Sequence, residues 1–340
     1  MRSSANSKYG VGIIGTNYGY KVVAPAIIES SNFDLICVAN SSSAIPGEYF
    51  QESTIIRTSK AELITNPEVD VVWVSTPPET HFGLLEEVLS SGKIAICEKL
   101  CGNSIDELKA INTLNMGLGV PIFINFEFRY DPIYTRIFNM AKKIPNNQFF
   151  RFKVNWQTYA NVRNRISYSH RDFLLDFAIH VLDCFLNFAH DIGAQLISAE
   201  ENRSKCSVCE TYSENCTAIN VLFDHFSLEA IICRQYTGNG IHKVELLTES
   251  SLISSGIVQP FSSDNLFYFD GSTPSENLDG GSEIHLKSYY SDMRVFAIGL
   301  LLEDIVGHMK SSNESNRPPN IQDALRVQLL IDHILESSLN

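Results

Sequence analysis

Between residues 9 and 128, short apolar runs rich in β-branched residues alternate with stretches whose apolar positions recur every three to four residues. The runs at 10–15, 34–40, 69–75, 93–98 and 121–128 predict five strands, each apolar on both faces as a doubly covered strand must be. The stretches between them predict helices. Three open on Ser/Thr-x-x-Glu pairs, Ser59 with Glu62, Thr76 with Glu79 and Ser104 with Glu107, in which each residue caps an exposed N–H of the other. Pro77 follows Thr76, at a place that suits a first helical turn. Strand and helix in alternation predict a parallel sheet covered by helices.

Past Asp131, which can cap a helix opening at Pro132, the rhythm changes. A helix, a long strand at 148–159 and a second helix come first. Strands at 195–200, 217–223, 227–236, 243–248 and 266–268 then follow with no helix between them. This predicts two domains: an α/β domain over 1–128 and an α+β domain with a mostly antiparallel open sheet over 129–340. Two helices close the chain, separated by the polar loop 311–319, with Asn320 as cap of the last, which is expected to pack back on the first domain.

Composition narrows the class. A chain of 340 residues exceeds what one core organises, and 44% hydrophobic against 19% charged residues can fill two. A net charge of −13 repels a phosphate backbone, which argues against nucleic acid as a partner. No unbroken apolar run approaches the roughly 20 residues that span a bilayer. Residues 1–8 hold no apolar secretion core, so a cytoplasmic, membrane-free setting is expected. Most of the cysteines at 37, 97, 101, 184, 206, 209, 216 and 233 fall in apolar runs and are expected as reduced thiols rather than a disulfide framework. Cys206, Cys209 and Cys216 make one CxxC with a third thiol, and His225 alone does not complete a zinc set, so no metal is expected.

The first strand runs out through Gly15-Thr16-Asn17-Tyr18-Gly19-Tyr20. Set against the GxGxxG turn of Rossmann domains, the places of the second and third glycine hold Asn17 and Tyr20, and Asn tolerates φ > 0 better than most residues. The segment reads either as a dinucleotide turn or as an ordinary strand-to-helix turn. At the end of the second strand, Ala39-Asn40-Ser41-Ser42-Ser43 offers no carboxylate for the ribose 2′-OH of NAD. That neutral, hydroxyl-rich loop leans towards the 2′-phosphate of NADP, although no Arg stands beside it.

Residues 71–75 lead into Thr76-Pro77-Pro78-Glu79-Thr80-His81, and the next strand ends in Glu98-Lys99. Together these resemble the glucose-fructose oxidoreductase / inositol dehydrogenase / MocA (Gfo/Idh/MocA) family. The resemblance continues through Asn125-Phe126-Glu127-Phe128-Arg129 with Pro132, the segment from Asp172 through Asp176 and His180 to Asp183, and Asp323-Ala324-Leu325-Arg326. It implies a Rossmann domain binding NAD or NADP and an oxidoreductase acting on a sugar, a nucleotide sugar or a cyclitol. It also implies a homodimer or homotetramer. By the same resemblance, Lys99 contacts the nicotinamide ribose and the reacting oxygen, His180 is the acid/base and Asp176 binds a substrate hydroxyl. Cofactor contacts are expected from Gly15, Thr16, Asn17, Tyr18, Gly19, Asn40, Ser41, Ser42, Ser75, Thr76, Pro77, His81, Glu98, Lys99 and Asn125. Substrate contacts are expected from Lys99, Arg129, Trp156, Arg163, Arg165, Asp176 and His180. Leu100 stands where the family has proline, and Tyr168-Ser169-His170-Arg171 where it has a glycine-rich turn.

Spacing adds an argument of its own. Asp172, Asp176, His180, Asp183 and Asn187 follow one another at intervals of four, four, three and four, on one face of an otherwise apolar helix. Such a stripe faces solvent or a polar cleft, and Lys99 with the first domain favours the cleft. Arg163, Arg165, His170 and Arg171 gather just before it, as a solvated loop or as partners for a phosphate or carboxylate. Hydride transfer at a carbinol carbon needs a proton to leave its oxygen, which an imidazole accepts near neutral pH, and a lysine stabilises the charge that develops there. Two alternatives stay open. One is an enzyme whose bound cofactor drives elimination, epimerisation or glycoside cleavage by transient oxidation; the other is a regulator that binds the dinucleotide without turnover.

Overall fold

Apolar runs that are hydrophobic on both faces must lie side by side under helices, and the five predicted ones do, joined by a sixth, short strand at the edge. The structure, a computed structural model, describes residues 8–39, 56–158, 169–201, 216–234, 240–255, 267–269, 274–277, 292, 294–310 and 317–337. Strands β1 (Tyr9–Ile14), β2 (Phe33–Ala39), β3 (Ile56–Thr58), β4 (Val71–Val74), β5 (Ile94–Glu98) and β6 (Ile122–Asn125) pair in the order β3-β2-β1-β4-β5-β6, every pair parallel. The order reverses between β1 and β4, the switch point at whose carboxyl edge open α/β sheets bind ligands. β3, three residues long, is too short to stand out from the pattern.

Helices α1 (Ala24–Glu29), α2 (Lys60–Thr65), α3 (His81–Ser90) and α4 (Ile105–Leu118) connect these strands. The capping box at α2 forms: Ser59 Oγ accepts from Glu62 N at 3.2 Å and Glu62 Oε2 accepts from Ser59 N at 2.9 Å. At α4, Ser104 caps Glu107 N at 3.2 Å, while the Glu107 carboxylate takes the N–H of Asn103 instead of Ser104. The box expected from Thr76 does not form. Pro77 precedes a second proline, which holds it extended at ψ 143°, so only a short turn, Pro78–Thr80, comes before α3.

The chain divides into two compact units, 1–127 with 289–325, and 128–288 with 326–340. In the second, α5 (Pro132–Ala141), capped by Asp131 Oδ1 on Ile133 N at 2.8 Å, precedes β7 (Phe150–Thr158). The helical stretch α6 (His170–Phe173) and α7 (Ile179–Ile192) is continuous through a π-type turn, Leu174–Ala178. Strands β8 (Leu196–Glu201), β9 (Cys216–Phe223), β10 (Phe226–Arg234), β11 (Ile241–Leu247), β12 (Leu252–Ser254), β13 (Phe267–Phe269) and β14 (Pro274–Asn277) complete the sheet β14-β13-β12-β11-β7-β10-β9-β8. Only β7 and β10 run parallel. β7 alternates as a one-sided strand should, and Phe152 meets Phe138, Phe185, Phe188 and Phe226 in an aromatic core.

Two expectations change here. Helix 170–192 has the length and hydropathy to cross a bilayer, which a search for unbroken apolar runs passes over because Asp176 and Asp183 interrupt it; 72% of its apolar window is buried inside the protein. Cys216 and Cys233, expected as thiols, face each other in register on β9 and β10 and form a disulfide. Opposed positions on paired strands bring side chains together regardless of their distance along the chain, and linear spacing does not reveal this. Cys37, Cys97, Cys101 and Cys184 are buried free thiols, and Cys206 and Cys209 lie outside the described residues.

Helix α8 (Arg294–Lys310) belongs to the first unit, although it falls in the stretch read from sequence as second domain. It contacts α1 and β6. Helix α9 (Ile321–Ser337) follows, with Asn320 Oδ1 accepting from Gln322 N at 2.9 Å as the expected cap. Its residues through Leu325 count with the first unit and those from Arg326 with the second.

Candidate functional site

The turn leaving β1 rests on two glycines. Gly15 has φ +113°, and a Cβ there would stand 2.2 Å from the Ser75 carbonyl oxygen. At Gly19 a Cβ would stand 2.8 Å from Ile13 Cγ2 and 3.1 Å from Ser75 Cβ. The close helix-to-strand approach that the GxGxxG pattern gives its third glycine therefore falls on Gly19, one position before Tyr20. The local cause is the π-type turn Gly19–Val23, whose wider repeat shifts the helix face and turns Tyr20 into the core. Thr16 is half-buried and Asn17 exposed, its carbonyl accepting from Lys21 N at 3.2 Å. Asn40, Ser41 and Ser42 lie outside the described residues.

At the carboxyl edge of the same sheet, Trp73 on β4, Glu98 ending β5 and Asn125 ending β6 occupy adjacent strands. Glu98 accepts from Trp73 Nε1 at 3.0 Å and from Asn125 Nδ2 at 3.0 and 3.1 Å; the same amide lies 3.4 Å from the Tyr18 hydroxyl. Burial and then the Glu127 carboxyl push Glu98 up to about 8, against the hydrogen bonds from Trp73 and Asn125 and the charge of Lys99. Burial raises Glu127 as well, and Tyr18 is driven well above the usual phenol range by burial and by both carboxyls. The Arg294 guanidinium lies 5.1 Å from the centre of the Tyr18 ring, held by Asp292 (Nε to Oδ1, 2.9 Å). Three buried atoms of this edge, Ser75 Oγ, Asn125 Oδ1 and Glu127 Oε2, have no hydrogen-bond partner. Buried polar atoms are rarely left so, and a group that does leave them marks a place for something to bind.

Lys99 follows Glu98 and is half-buried; its peptide bond to Leu100 is cis. His81, expected among the cofactor contacts, is instead fully buried, with Nδ1 2.5 Å from the Leu100 carbonyl oxygen and Nε2 2.7 Å from that of Thr76. It braces the two strand exits from behind. The Thr76 hydroxyl pairs with that of Thr80 at 2.7 Å, and Pro77 is extended.

In the second unit the polar stripe divides by occupation. Asp172 is taken by the N-cap, its Oδ2 accepting from Ser169 N at 2.8 Å. Asp183 and Asn187 are taken by Arg129, which donates to both Asp183 oxygens at 2.7 and 2.6 Å and to Asn187 Oδ1 at 2.9 Å, the ion pair almost fully buried. Arg129, expected on the substrate, is thus committed to two residues of helix α7. Asp176 and His180 stand between these two groups on the helix. Asp176 sits half-buried in the π-type turn, a helix irregularity common at functional positions. The His180 ring stacks on Phe128, 4.6 Å between centres, and meets Trp156 edge-on at 6.1 Å.

Trp156, also expected on the substrate, is buried at 6% exposure and paired in register with His242 on β11. His242 lies 3.2 Å from the Tyr134 hydroxyl, and burial lowers it to about 3. His170 and Arg171 have partners in Glu201 (2.6 Å) and Asp332 (3.2 Å), while Arg163 and Arg165 lie outside the described residues. Glu127, Phe128, His242 and Arg294 were not foreseen. Glu127 and Phe128 lie in the family-like segment 125–129, which was the signal for them, and nothing in the pattern pointed to His242 or Arg294.

A sheet of six parallel strands in Rossmann order, glycines at its first turn and buried polar atoms at its switch edge define a dinucleotide-binding unit, here joined to a largely antiparallel one. Residues 9–126, about a third of the chain, match the model of the Gfo/Idh/MocA oxidoreductase family with an NAD-binding Rossmann fold. Among curated relatives, an uncharacterized oxidoreductase of Synechocystis is 25% identical over 148 residues, 43% of this chain and 40% of its own length. An inositol 2-dehydrogenase of Rhizobium meliloti is 26% identical over 130 residues, 37% of this chain and 38% of its own. These matches span less than half the length of either relative. Two solved structures share the whole fold: a dehydrogenase from Clostridium difficile (TM-score 0.73, 15% identity, 97% and 100% of the two chains) and a UDP-N-acetylglucosamine 3-dehydrogenase from Acidithiobacillus ferrooxidans (0.70, 17%, 97% and 98%).

Proposed function

We propose that the protein is a nicotinamide-dependent oxidoreductase that moves a hydride between the cofactor and a hydroxyl-bearing or ketone carbon of a sugar, a nucleotide sugar or a cyclitol. The observation that carries this reading is the conjunction, on one sheet edge, of a turn that only glycine backbone fits with three buried polar atoms lacking partners. The residues present fit the cofactor. Gly15 and Gly19 let the first turn pack directly against Ser75 and Ile13, the tight strand-to-helix turn a dinucleotide site uses, and Ser75 Oγ and Asn125 Oδ1 offer bonds to the nicotinamide half. Asn40, Ser41 and Ser42, without a carboxylate, favour the 2′-phosphate of NADP over NAD.

When bound, the nicotinamide supplies the hydride donor or acceptor at its C4. His180 takes the proton that leaves the substrate hydroxyl, so that alcohol and oxidised cofactor give ketone, reduced cofactor and one proton. Lys99 steadies the negative charge developing on that oxygen, and Asp176 accepts a hydrogen bond from a neighbouring hydroxyl. The Phe128 stack holds the imidazole plane while this happens. Arg163 and Arg165 would meet a phosphate or carboxylate on the substrate. A homo-oligomer working in the cytoplasm completes the proposal.

The test is absorbance of the reduced cofactor when the protein is mixed with NAD or NADP and myo-inositol, glucose or UDP-N-acetylglucosamine. Turnover is expected to fall about 100- to 1,000-fold in Lys99→Ala, the cost of removing one charge-stabilising group. Product without net reduced cofactor assigns the transient-oxidation branch. Cofactor binding with no Lys99-dependent turnover of any substrate overturns the proposal in favour of a regulator.

A further inference from the structure

The last ladder pair between β4 and β5 is Val74 with Cys97, two residues before Lys99. Beyond it the strands part, β4 into the turn before α3 and β5 into Lys99 and Leu100. A side chain whose charge must meet one oxygen needs a fixed backbone, yet the ladder ends before reaching it. The link that takes over is His81, at the first position of α3, with Nδ1 2.5 Å from the carbonyl oxygen of Leu100 and Nε2 2.7 Å from that of Thr76. Its side chain has no exposure to solvent.

We infer that His81 is a positioning residue for Lys99: its ring ties the exit of β4 at Thr76 to the exit of β5 at Leu100, one residue beyond the lysine. The inference rests on the reading of Lys99 as the cation of the reacting site. Chemistry selects histidine for this place. Both partners are carbonyl oxygens, which only accept, and a ring with nitrogens on opposite sides reaches both from inside the core. A neutral imidazole has one N–H and satisfies one of them; the doubly protonated ring satisfies both. Burial works against the second proton, as does Lys99 from the β5 side, while the two carbonyls and Glu79 on the turn favour it. Burial outweighs the rest and holds the ring below the ordinary imidazole range, so the neutral ring bonds one carbonyl and packs against the other. A buried aliphatic of similar volume would fill the space and leave two carbonyls without a donor.

The experiment compares wild type with His81→Leu and His81→Gln, the second keeping an N–H donor. The readouts are the NMR signals of the Lys99 side chain (13Cε, 15Nζ), turnover with NAD or NADP and myo-inositol, and the thermal midpoint. In His81→Leu the Lys99 signals should broaden or shift, and kcat should fall about 100-fold with KM little changed, the size expected of an ångström-scale misplacement. His81→Gln should recover most of both. Unchanged Lys99 signals in a folded His81→Leu protein would overturn the inference, and so would equal damage in both variants tracking the loss of thermal midpoint. Should His81→Leu fail to fold, His81→Asn, too short to reach both carbonyls, takes its place: Lys99 signals displaced at an unchanged midpoint support the tie, and unchanged ones refute it. The NMR arm reads without turnover, so a protein inactive on every substrate would sink the proposed function and leave this question answerable.

Discussion

In the unit built on the parallel sheet, three acids at the carboxyl edge of the strands, Glu98, Glu127 and Tyr18, are pushed up by burial, while His81 is pushed down. In the other unit the corresponding group is an imidazole, His242, pushed down to about 3 inside an aromatic cluster. Both favour the uncharged form, but from opposite sides of the pH scale. Glu98, at about 8 when folded against an ordinary 4.5, lends stability that is complete below pH 4.5 and is lost as pH rises towards 8. His242, at about 3 against 6.5, lends stability that is complete above pH 6.5 and is lost as pH falls towards 3. Glu98 should therefore weaken the first unit at high pH, and His242 the second at low pH. The polar groups differ as well: Ser75 Oγ, Asn125 Oδ1 and Glu127 Oε2 at the sheet edge are buried without hydrogen-bond partners, whereas Asp172, Asp183 and Asn187 of the helix face are paired within their unit.

The two tryptophans, Trp73 in one unit and Trp156 in the other, make the comparison measurable, because Trp73→Phe and Trp156→Phe each leave a fluorophore reporting on a single unit. The largest effect is expected from Arg129→Met, which strands Asp183 as a buried charge. Urea unfolding followed by Trp156 should show a loss of about 3–5 kcal/mol, largely recovered when Asp183 and Asn187 are replaced together by leucine. Next comes Glu98→Gln, which should flatten the alkaline weakening reported by Trp73, a gain of about 2–3 kcal/mol at pH 8 after allowance for partial exposure. His242→Phe should do the same for the acid weakening reported by Trp156, by about 2 kcal/mol at pH 5. If both pH responses appear in the same unit, or neither is moved by its substitution, the contrast fails. The smallest effect is expected from Gly19→Ala, whose methyl would press on Ile13: about tenfold weaker cofactor binding by fluorescence titration, with the second unit's unfolding unchanged.

How much of this was legible in the chain depended on the range of the interaction. Strands β1, β2, β4, β5 and β6 follow from runs of adjacent residues and were readable, whereas β3 pairs with β2, a neighbour distant in sequence. Asp172, Asp183 and Asn187 shared a face with Asp176 and His180 as their spacing required. Their partners Ser169 and Arg129 were invisible, since periodicity names a face and not what lies against it. His81 was recognised by its motif, but its place behind Lys99 depends on two carbonyl groups that no side-chain pattern encodes. The glycine turn misled by one position because a π-type turn departs from the regular repeat that the motif assumes.

The return of residues 289–325 to the first unit limits how this protein can be dissected. Val295, Ala297, Ile298, Leu301, Leu302 and Ile305 of α8 are buried. A gene fragment stopped at the apparent boundary near 128 would leave α1 and β6 without the helix that contacts them and lose Arg294 from beside Tyr18. Such a fragment should be insoluble or fail to bind dinucleotide. A miniature Rossmann unit drawn from this chain would have to carry α8 along with the residues up to 127.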